Sequence, residues 1–305
     1  MISGIWVPLV TPFKDGRVDT NALQTLAEHY LTTDISGFVV LGTTAEAALL
    51  SQDERLSVVH AVFDAVGSHL PIMVGVGGSN TYEMQRQIAS LSAWDTAGFL
   101  VSAPAYIRPD QKGIQWHFGQ IASCTDRSIV LYDVPHRTGV AIAPETVEAL
   151  LRYRNVVAIK ACVPESFQSF AKLPLGLLCG TDDAFLACLA AGGAGGILAS
   201  AHLFPQILSD VQRMFLTGHG EEASARFSAV LPAMQLLFSA PNPSAIKAGL
   251  ALMGLIRKET RLPITEASSA LTLELELALS RIDWAACDLP HSMEMTLCEQ
   301  EITKY

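Results

Sequence analysis

The chain has 305 residues, half of them hydrophobic and 16% charged, and its net charge is −10. That length suits one large domain, or one domain with an appendage, and supports a sizeable core. The acidic balance, with no Lys/Arg run and no basic stripe interleaved with aromatics, argues against nucleic acid as a partner.

The chain opens MISGIWVPLVTPF, without a basic n-region and broken by Pro8 and Pro12, so no signal peptide is expected. No apolar run reaches the length of a membrane span, and a cytoplasmic protein is expected. Short apolar runs follow at Ile5–Val10, Gly37–Leu41, Ile72–Val76, Phe99–Val101, Ile129–Val134, Val156–Ile159, Leu175–Cys179 and Gly196–Ala199. Helical spacing fills the intervals: Leu23, Leu26, Ala27 and Tyr30 share one face, as do Leu56, Val59, Val62 and Phe63. Ser51–Glu54 and Asn80–Glu83 read as capping boxes, and Pro144 suits a first helical turn. Eight strand–helix units in about 220 residues predict a (β/α)8 TIM barrel rather than a doubly wound sheet. From Glu221 strand signals stop. Glu221–Phe238, Pro243–Ile256 and Thr265–Ile282 read as three helices, the second opened by Asn242 as cap and Pro243 at its first position. The expected division is a catalytic barrel over residues 1–220 and a C-terminal three-helix domain over 221–305. Its tail, 283–305, is mixed in character and expected to pack against the rest.

The six cysteines are spread out and never form C-x-x-C, which suits reduced thiols better than disulfides or zinc. The eight histidines show no H-E-x-x-H spacing, so no metal is expected. GVGGSN at Gly75–Asn80 and GGAGG at Gly192–Gly196 match no phosphate-binding fingerprint and read as turn and close-approach sequences.

The chemistry centres on NVVAIKA, Asn155–Ala161. Val156, Val157 and Ile159 make a buried strand that closes on Lys160, and a charged amine there is costly unless paired or at work. A neutral amine in a low-dielectric pocket can attack a ketone and form a Schiff base, and burial is expected to favour that uncharged form. The alternative is a rim lysine held by a carboxylate. In a barrel of this kind active groups gather at the C-terminal strand ends. Those ends carry Gly42–Glu46 (GTTAE), Pro104–Tyr106, Tyr132–Gly139 (YDVPHRTG), Lys160, Gly180 and Ile197. Thr43 and Thr44 can bind a carboxylate or form a plain helix-cap turn. Tyr132 can shuttle protons beside Lys160 or serve as a packed aromatic. Arg137 offers a fork for a second carboxylate or a surface ion pair.

GTTAE, YDVPHRTG, the lysine of AIKA, GTDDA, GGILASAH, APNPSAIKA and TRLPIT occur in order between Ile5 and Glu266. Together they resemble the dihydrodipicolinate synthase/N-acetylneuraminate lyase family of class I pyruvate aldolases. The resemblance implies a (β/α)8 barrel with a C-terminal helical domain, usually homotetrameric, acting without a cofactor beyond its own imine. It implies that Lys160 forms an imine with pyruvate and that Tyr132, linked to Thr43, relays protons. Tyr106 would complete that relay in the neighbouring subunit across a tight dimer. Thr43 and Thr44 would hold the pyruvate carboxylate, Arg137 would position L-aspartate 4-semialdehyde, and backbone at Gly180 and Ile197 would shape the pocket. The product would be 4-hydroxy-tetrahydrodipicolinate, for lysine and diaminopimelate synthesis. Alternatives are an aldolase of another 2-oxo acid and a non-catalytic 2-oxo-acid-binding barrel.

Departures stand at Ala45 and Ala47, where the family has glycine and serine, and at Ala105, where an aromatic is common. Ala45 is expected to keep a negative φ. Gln52, Arg55, Ser79 and Ala105 occupy positions that bind lysine in inhibited members, with Glu83 alone retaining the expected carboxylate. Lysine inhibition is therefore expected to be weak or absent.

Overall fold

The computed structural model describes residues 2–282 and residue 284. Its strands are β1 (Gly4–Val7), β2 (Gly37–Val40), β3 (Ile72–Val76), β4 (Gly98–Ser102), β5 (Ser128–Asp133), β6 (Val156–Ala161), β7 (Gly176–Cys179) and β8 (Gly195–Ile197). Each is parallel to its neighbours, and β8 pairs with β1, so the eight close into a barrel. Helices alternate with the strands along the chain, which is the expected (β/α)8 order. Every expected apolar run overlaps one of these strands, with ends displaced by a few residues at most.

Two compact units divide the chain, and their segments alternate along it. The first comprises residues 1–8, 36–42 and 70–198 and holds all eight barrel strands. Its interior is built one residue per strand: Trp6, Val39, Met73, Leu100, Val130, Ala158, Leu178 and Ile197 form one buried cluster. Period-two alternation aims these eight side chains at the same side of the sheet. Burying a large apolar side chain is worth roughly 1.5–3 kcal/mol, so this cluster is a main anchor of the strand ends above it.

The second unit comprises residues 9–35, 43–69 and the described residues from 199 onward. It contains a short antiparallel hairpin, Phe13–Lys14 with Arg17–Val18, and the helices Thr20–Tyr30, Gln52–Val66, Pro205–Leu216, Gly220–Leu237, Ser244–Leu252 and Ser269–Leu279. In Thr20–Tyr30 the expected stripe of Leu23, Leu26, Ala27 and Tyr30 is buried. In Gln52–Val66 the buried stripe runs through Val58, Val59, Val62 and Val66 instead, leaving Leu56 and Phe63 at its margin. The Ser51–Glu54 capping box is complete. At Asn80 only half forms: its side chain caps Tyr82 and Glu83, but the Glu83 carboxylate turns to Arg86. The three C-terminal helices are present: the first is shifted by one residue at its expected length, and the second and third are shorter than expected. Asn242 is not the cap of Ser244–Leu252: its side chain donates to Thr44 Oγ1 at 3.1 Å, and Pro243 takes the cap position.

Of the tail, only Trp284 is described; it stacks on Phe204 with ring centroids 6.0 Å apart, and the rest of 283–305 lies outside the described residues. Among the described residues no helix is long and apolar enough to cross a membrane. Cys124, Cys162, Cys179 and Cys188 are free thiols, and Cys287 and Cys298 lie outside the described residues.

Candidate active site

The register of β5 against β6 builds the centre of the site. Tyr132 is paired directly with Lys160, each one residue short of its strand's end. Lys160 is buried, and its Nζ lies over the Tyr132 ring, 4.5 Å from the centroid. Among the described residues Nζ makes no ion pair, so the alternative of a rim lysine clamped by a carboxylate does not hold. An aromatic face is a weak, non-basic partner for an ammonium, and it leaves the amine free to react.

The charge state differs from the sequence expectation. Burial is the largest influence on Lys160 and pulls its pKa down. Tyr132, Cys162, Asp182 and Cys179 together outweigh burial and hold the amine above the ordinary lysine range. The expectation that burial alone leaves the amine uncharged is therefore corrected. The resting side chain is an ammonium, because the apolar strand ends in a cluster of groups that favour positive charge. A nucleophile must be released from it by proton transfer, which gives a neighbouring phenol a definite task.

Cys162 and Asp182 are functional neighbours that carried no role in the sequence reading. Cys162 lies two residues beyond Lys160, just past the end of β6, and Asp182 opens the 3-10 turn Asp182–Ala184 two residues beyond Gly180, so the only signal in the sequence was their nearness to Lys160 and Gly180. Gly180 is half-buried between them, its N–H donating to Ala161 O at 2.8 Å. A Cβ at Gly180 would meet Cys162 Sγ at 2.5 Å and Lys160 Cε at 2.9 Å, so only glycine leaves room for the lysine stem. Ile197 is buried in the interior cluster at the end of β8.

Arg137 lies in the short helix Pro135–Thr138 that follows β5. Its guanidinium is exposed and makes no ion pair among the described residues, so its five donors remain available to an anion. The neighbouring His136 has its pKa lowered by partial burial, with Arg137 and Lys160 adding to the effect. The site's local field is thus positive within an acidic chain. Beneath this loop Asp133 Oδ1 accepts from Ile142 N–H at 2.9 Å, and burial pushes its pKa up to about 6.

Tyr106 does not join Lys160 and Tyr132. It is 91% exposed, at φ +72°, and makes no hydrogen bond among the described residues. Its loop is nevertheless tied down: Ser79 Oγ donates to Ala105 O at 2.7 Å, and Arg108 Nε donates to Gly139 O at 3.0 Å. A left-handed φ at a bulky residue costs on the order of 1–3 kcal/mol, so the surrounding bonds hold the ring outward against strain.

Thr43 and Thr44 belong to the second unit, in the turn that follows Gly42. Thr43 O accepts from Glu46 N–H at 3.0 Å, and Thr44 is buried with its hydroxyl bonded to Asn242. Ala45 keeps a negative φ as expected; the left-handed residue of the turn is Glu46, at φ +54°.

Residues 1–282 match the Dihydrodipicolinate synthetase family. A 4-hydroxy-tetrahydrodipicolinate synthase 2 from Clostridium acetobutylicum is 37% identical over 280 residues, covering 90% of this chain and 98% of that protein. A 4-hydroxy-tetrahydrodipicolinate synthase from Thermotoga neapolitana is 34% identical over 284 residues, covering 90% and 96%. Among solved structures, the 4-hydroxy-tetrahydrodipicolinate synthase of Methylacidiphilum fumariolicum SolV superposes with a TM-score of 0.89 at 30% identity, covering 99% of each chain. With its barrel, its strand-end lysine and this likeness over nearly all its length, the chain belongs to the dihydrodipicolinate synthetase family.

Proposed function

We propose that the chain is a Schiff-base lyase that condenses pyruvate with L-aspartate 4-semialdehyde to 4-hydroxy-tetrahydrodipicolinate, on the route to diaminopimelate and lysine. The observation that carries this reading is the Tyr132–Lys160 pair: a buried, unclamped amine in register with a phenol. Lys160 loses a proton, attacks the pyruvate ketone, and the carbinolamine loses water to give the imine. Loss of a C3 proton gives the enamine, whose carbon attacks the aldehyde. The amino group of the second substrate then displaces Lys160 as the ring closes. Tyr132 is the acid and base for these transfers, and the imine itself is the electron sink, so no cofactor or metal is required.

Arg137, exposed and unpaired beside the Tyr132 loop, is assigned to the carboxylate of the second substrate. Gly180 provides the clearance for the imine. Ile197 closes the pocket floor. For Thr43 and Thr44 the proposed role, holding the pyruvate carboxylate, rests on the GTTAE sequence. Tyr106 is proposed to complete the relay of a neighbouring subunit in a homotetramer. Its outward, strained setting and the adjacent exposed Ile107 support a partner covering it. The protein is proposed to be cytoplasmic.

Borohydride reduction in the presence of pyruvate tests the chemistry. A pyruvate-derived mass is expected on the peptide containing Lys160, and Lys160→Ala is expected to abolish it. Arg137→Ala is expected to leave this capture intact while lowering turnover with aspartate semialdehyde by about 10–100-fold, the size expected for a lost charged hydrogen bond. Failure of the wild-type protein to trap pyruvate would point to the binding-module alternative. Turnover of sugar acids or hydroxy-oxo acids in preference to aspartate semialdehyde would point to another aldolase. The Glu83 carboxylate is already engaged by Arg86, which supports weak lysine inhibition. Half-inhibition by sub-millimolar lysine would refute that expectation.

A further inference from the structure

The turn that carries Arg137 has little support of its own. Pro135–Thr138 is a helix of 4 residues, too short to keep its shape unaided, and it ends on Gly139 at φ +77°. Downstream the chain is well fastened. Gln111 Nε2 donates to Ala141 O at 2.9 Å, and its Oε1 accepts from Ala143 N–H at 3.0 Å and Thr146 Oγ1 at 2.7 Å. Residues 135–139 themselves bond mainly within their own loop. Among the described residues, the hydrogen bond that reaches them from elsewhere is Arg108 Nε–H to Gly139 O, at 3.0 Å. The Arg108 stem packs on the same residue: a Cβ at Gly139 would lie 2.9 Å from Arg108 Cγ and 3.0 Å from Cδ. Arg108 sits at a left-handed φ of +48°, a setting that costs energy unless its contacts offset it. Its guanidinium makes no ion pair among the described residues, so the clasp on Gly139 is the task this side chain performs.

We infer that Arg108 is a positioning residue for the second substrate, setting the aim of Arg137 by holding the end of its turn. This inference rests on the assignment of Arg137 to that substrate's carboxylate. A guanidinium–carboxylate fork is a planar, two-bond contact that tolerates little displacement. A turn free to rock about Gly139 therefore weakens it. Lys160 and Tyr132 are held differently, by the register of β5 against β6, so pyruvate capture does not depend on the clasp. Arg108 acts through the backbone it holds and not on the substrate. Two substitutions separate the bond from the charge. Glutamine places an N–H donor as many bonds from Cα as arginine Nε, without the charge; methionine has similar length and no donor.

The test measures kcat/KM for aspartate semialdehyde and borohydride trapping of pyruvate in wild type, Arg108→Met and Arg108→Gln. Arg137→Ala and the double variant Arg108→Met/Arg137→Ala complete a cycle. For Arg108→Met, kcat/KM is expected to fall about 3–10-fold, the worth of one hydrogen bond, with the pyruvate trapping rate unchanged within about twofold. Arg108→Gln is expected to recover most of the loss. In the Arg137→Ala background, Arg108→Met is expected to change kcat/KM by less than about twofold, since the group it positions is gone. An unchanged kcat/KM in Arg108→Met overturns the inference. Equal losses in the methionine and glutamine variants overturn it too, because the charge and not the bond then matters. So does a loss that persists in full without Arg137, or one matched by slower pyruvate trapping. An Arg137→Ala protein with wild-type kcat/KM overturns the assignment of Arg137 itself, and is recognised as such because no Arg108 variant is needed to see it.

Discussion

Lys160 concentrates the chemistry at the residue scale, and its charge decides how the reaction starts. Burial opposes the ammonium, while Tyr132, Cys162, Asp182 and Cys179 support it, and support wins. The amine must then be deprotonated before it can attack. The trapping rate is therefore expected to climb with pH through the range from about 6 to 9 without levelling, since ordinary lysine titrates at about 10.4 and this one higher. Rapid-quench trapping across that range checks it. A plateau below pH 8 would mean that the amine is already neutral. The sequence made the lysine visible, because a cation ending an apolar run is anomalous. It did not reveal the charge state, which depends on Cys179 and Asp182 from the following strand and loop.

Loops that follow strands set the working geometry at the element scale. After β5 the chain turns through Pro135–Thr138, and the turn is fastened from below by Asp133 accepting from Ile142 N–H. That carboxyl is 2% exposed, and burial raises its pKa to about 6, against about 3.9 when unfolded. Between those values the folded state holds a proton that the unfolded state has released. This group's contribution to stability therefore falls as pH rises through that window. At neutral pH the ionised form costs the fold on the order of 2–3 kcal/mol. Asp133→Asn keeps an oxygen for Ile142 without the charge. It is expected to melt above the wild type at pH 7.5 and to lose that advantage by about pH 4. Calorimetric melts at both pH values check the sign; a destabilised variant at pH 7.5 would refute it. The strands themselves were legible from β-branched runs, but the Asp133–Ile142 fastening joins residues nine apart and leaves no periodic trace.

For the molecule as a whole, a buried charge network ties the second unit together. Lys247 and Glu46 are both buried, with Nζ and Oε1 2.5 Å apart. Burial pulls Lys247 down to about 8 even with Glu46 beside it. Nζ also donates to Glu259 O at 2.9 Å and lies 4.1 Å from the Phe13 ring centroid. Arg261 completes the network, its N–H donating to Glu46 Oε2 at 2.7 Å and its guanidinium to Glu54 at 2.7 Å. The pair joins helix Ser244–Leu252 to the turn that carries Thr43 and Thr44. Lys247→Met is expected to cost about 3–5 kcal/mol, because it strands the Glu46 carboxylate in the interior. Adding Glu46→Gln to it should recover part of that loss. Urea unfolding of the single and double variants measures the coupling, and strictly additive losses would show that the two side chains do not act as a pair.

The sequence by itself determined the barrel, the order of its strands, the identity of the lysine and phenol, and the family. Period-two and period-3.6 patterns and strand-end motifs are local, and local patterns survive without coordinates. Only the tertiary structure decided that Lys160 is held as an ammonium, that Gly180 yields its side-chain space to Cys162 and the lysine stem, and that Asn242 caps nothing but reaches Thr44. Each of these depends on distance between residues far apart in the chain. Electrostatic and steric fields fall off through space, and no spacing along the sequence encodes them.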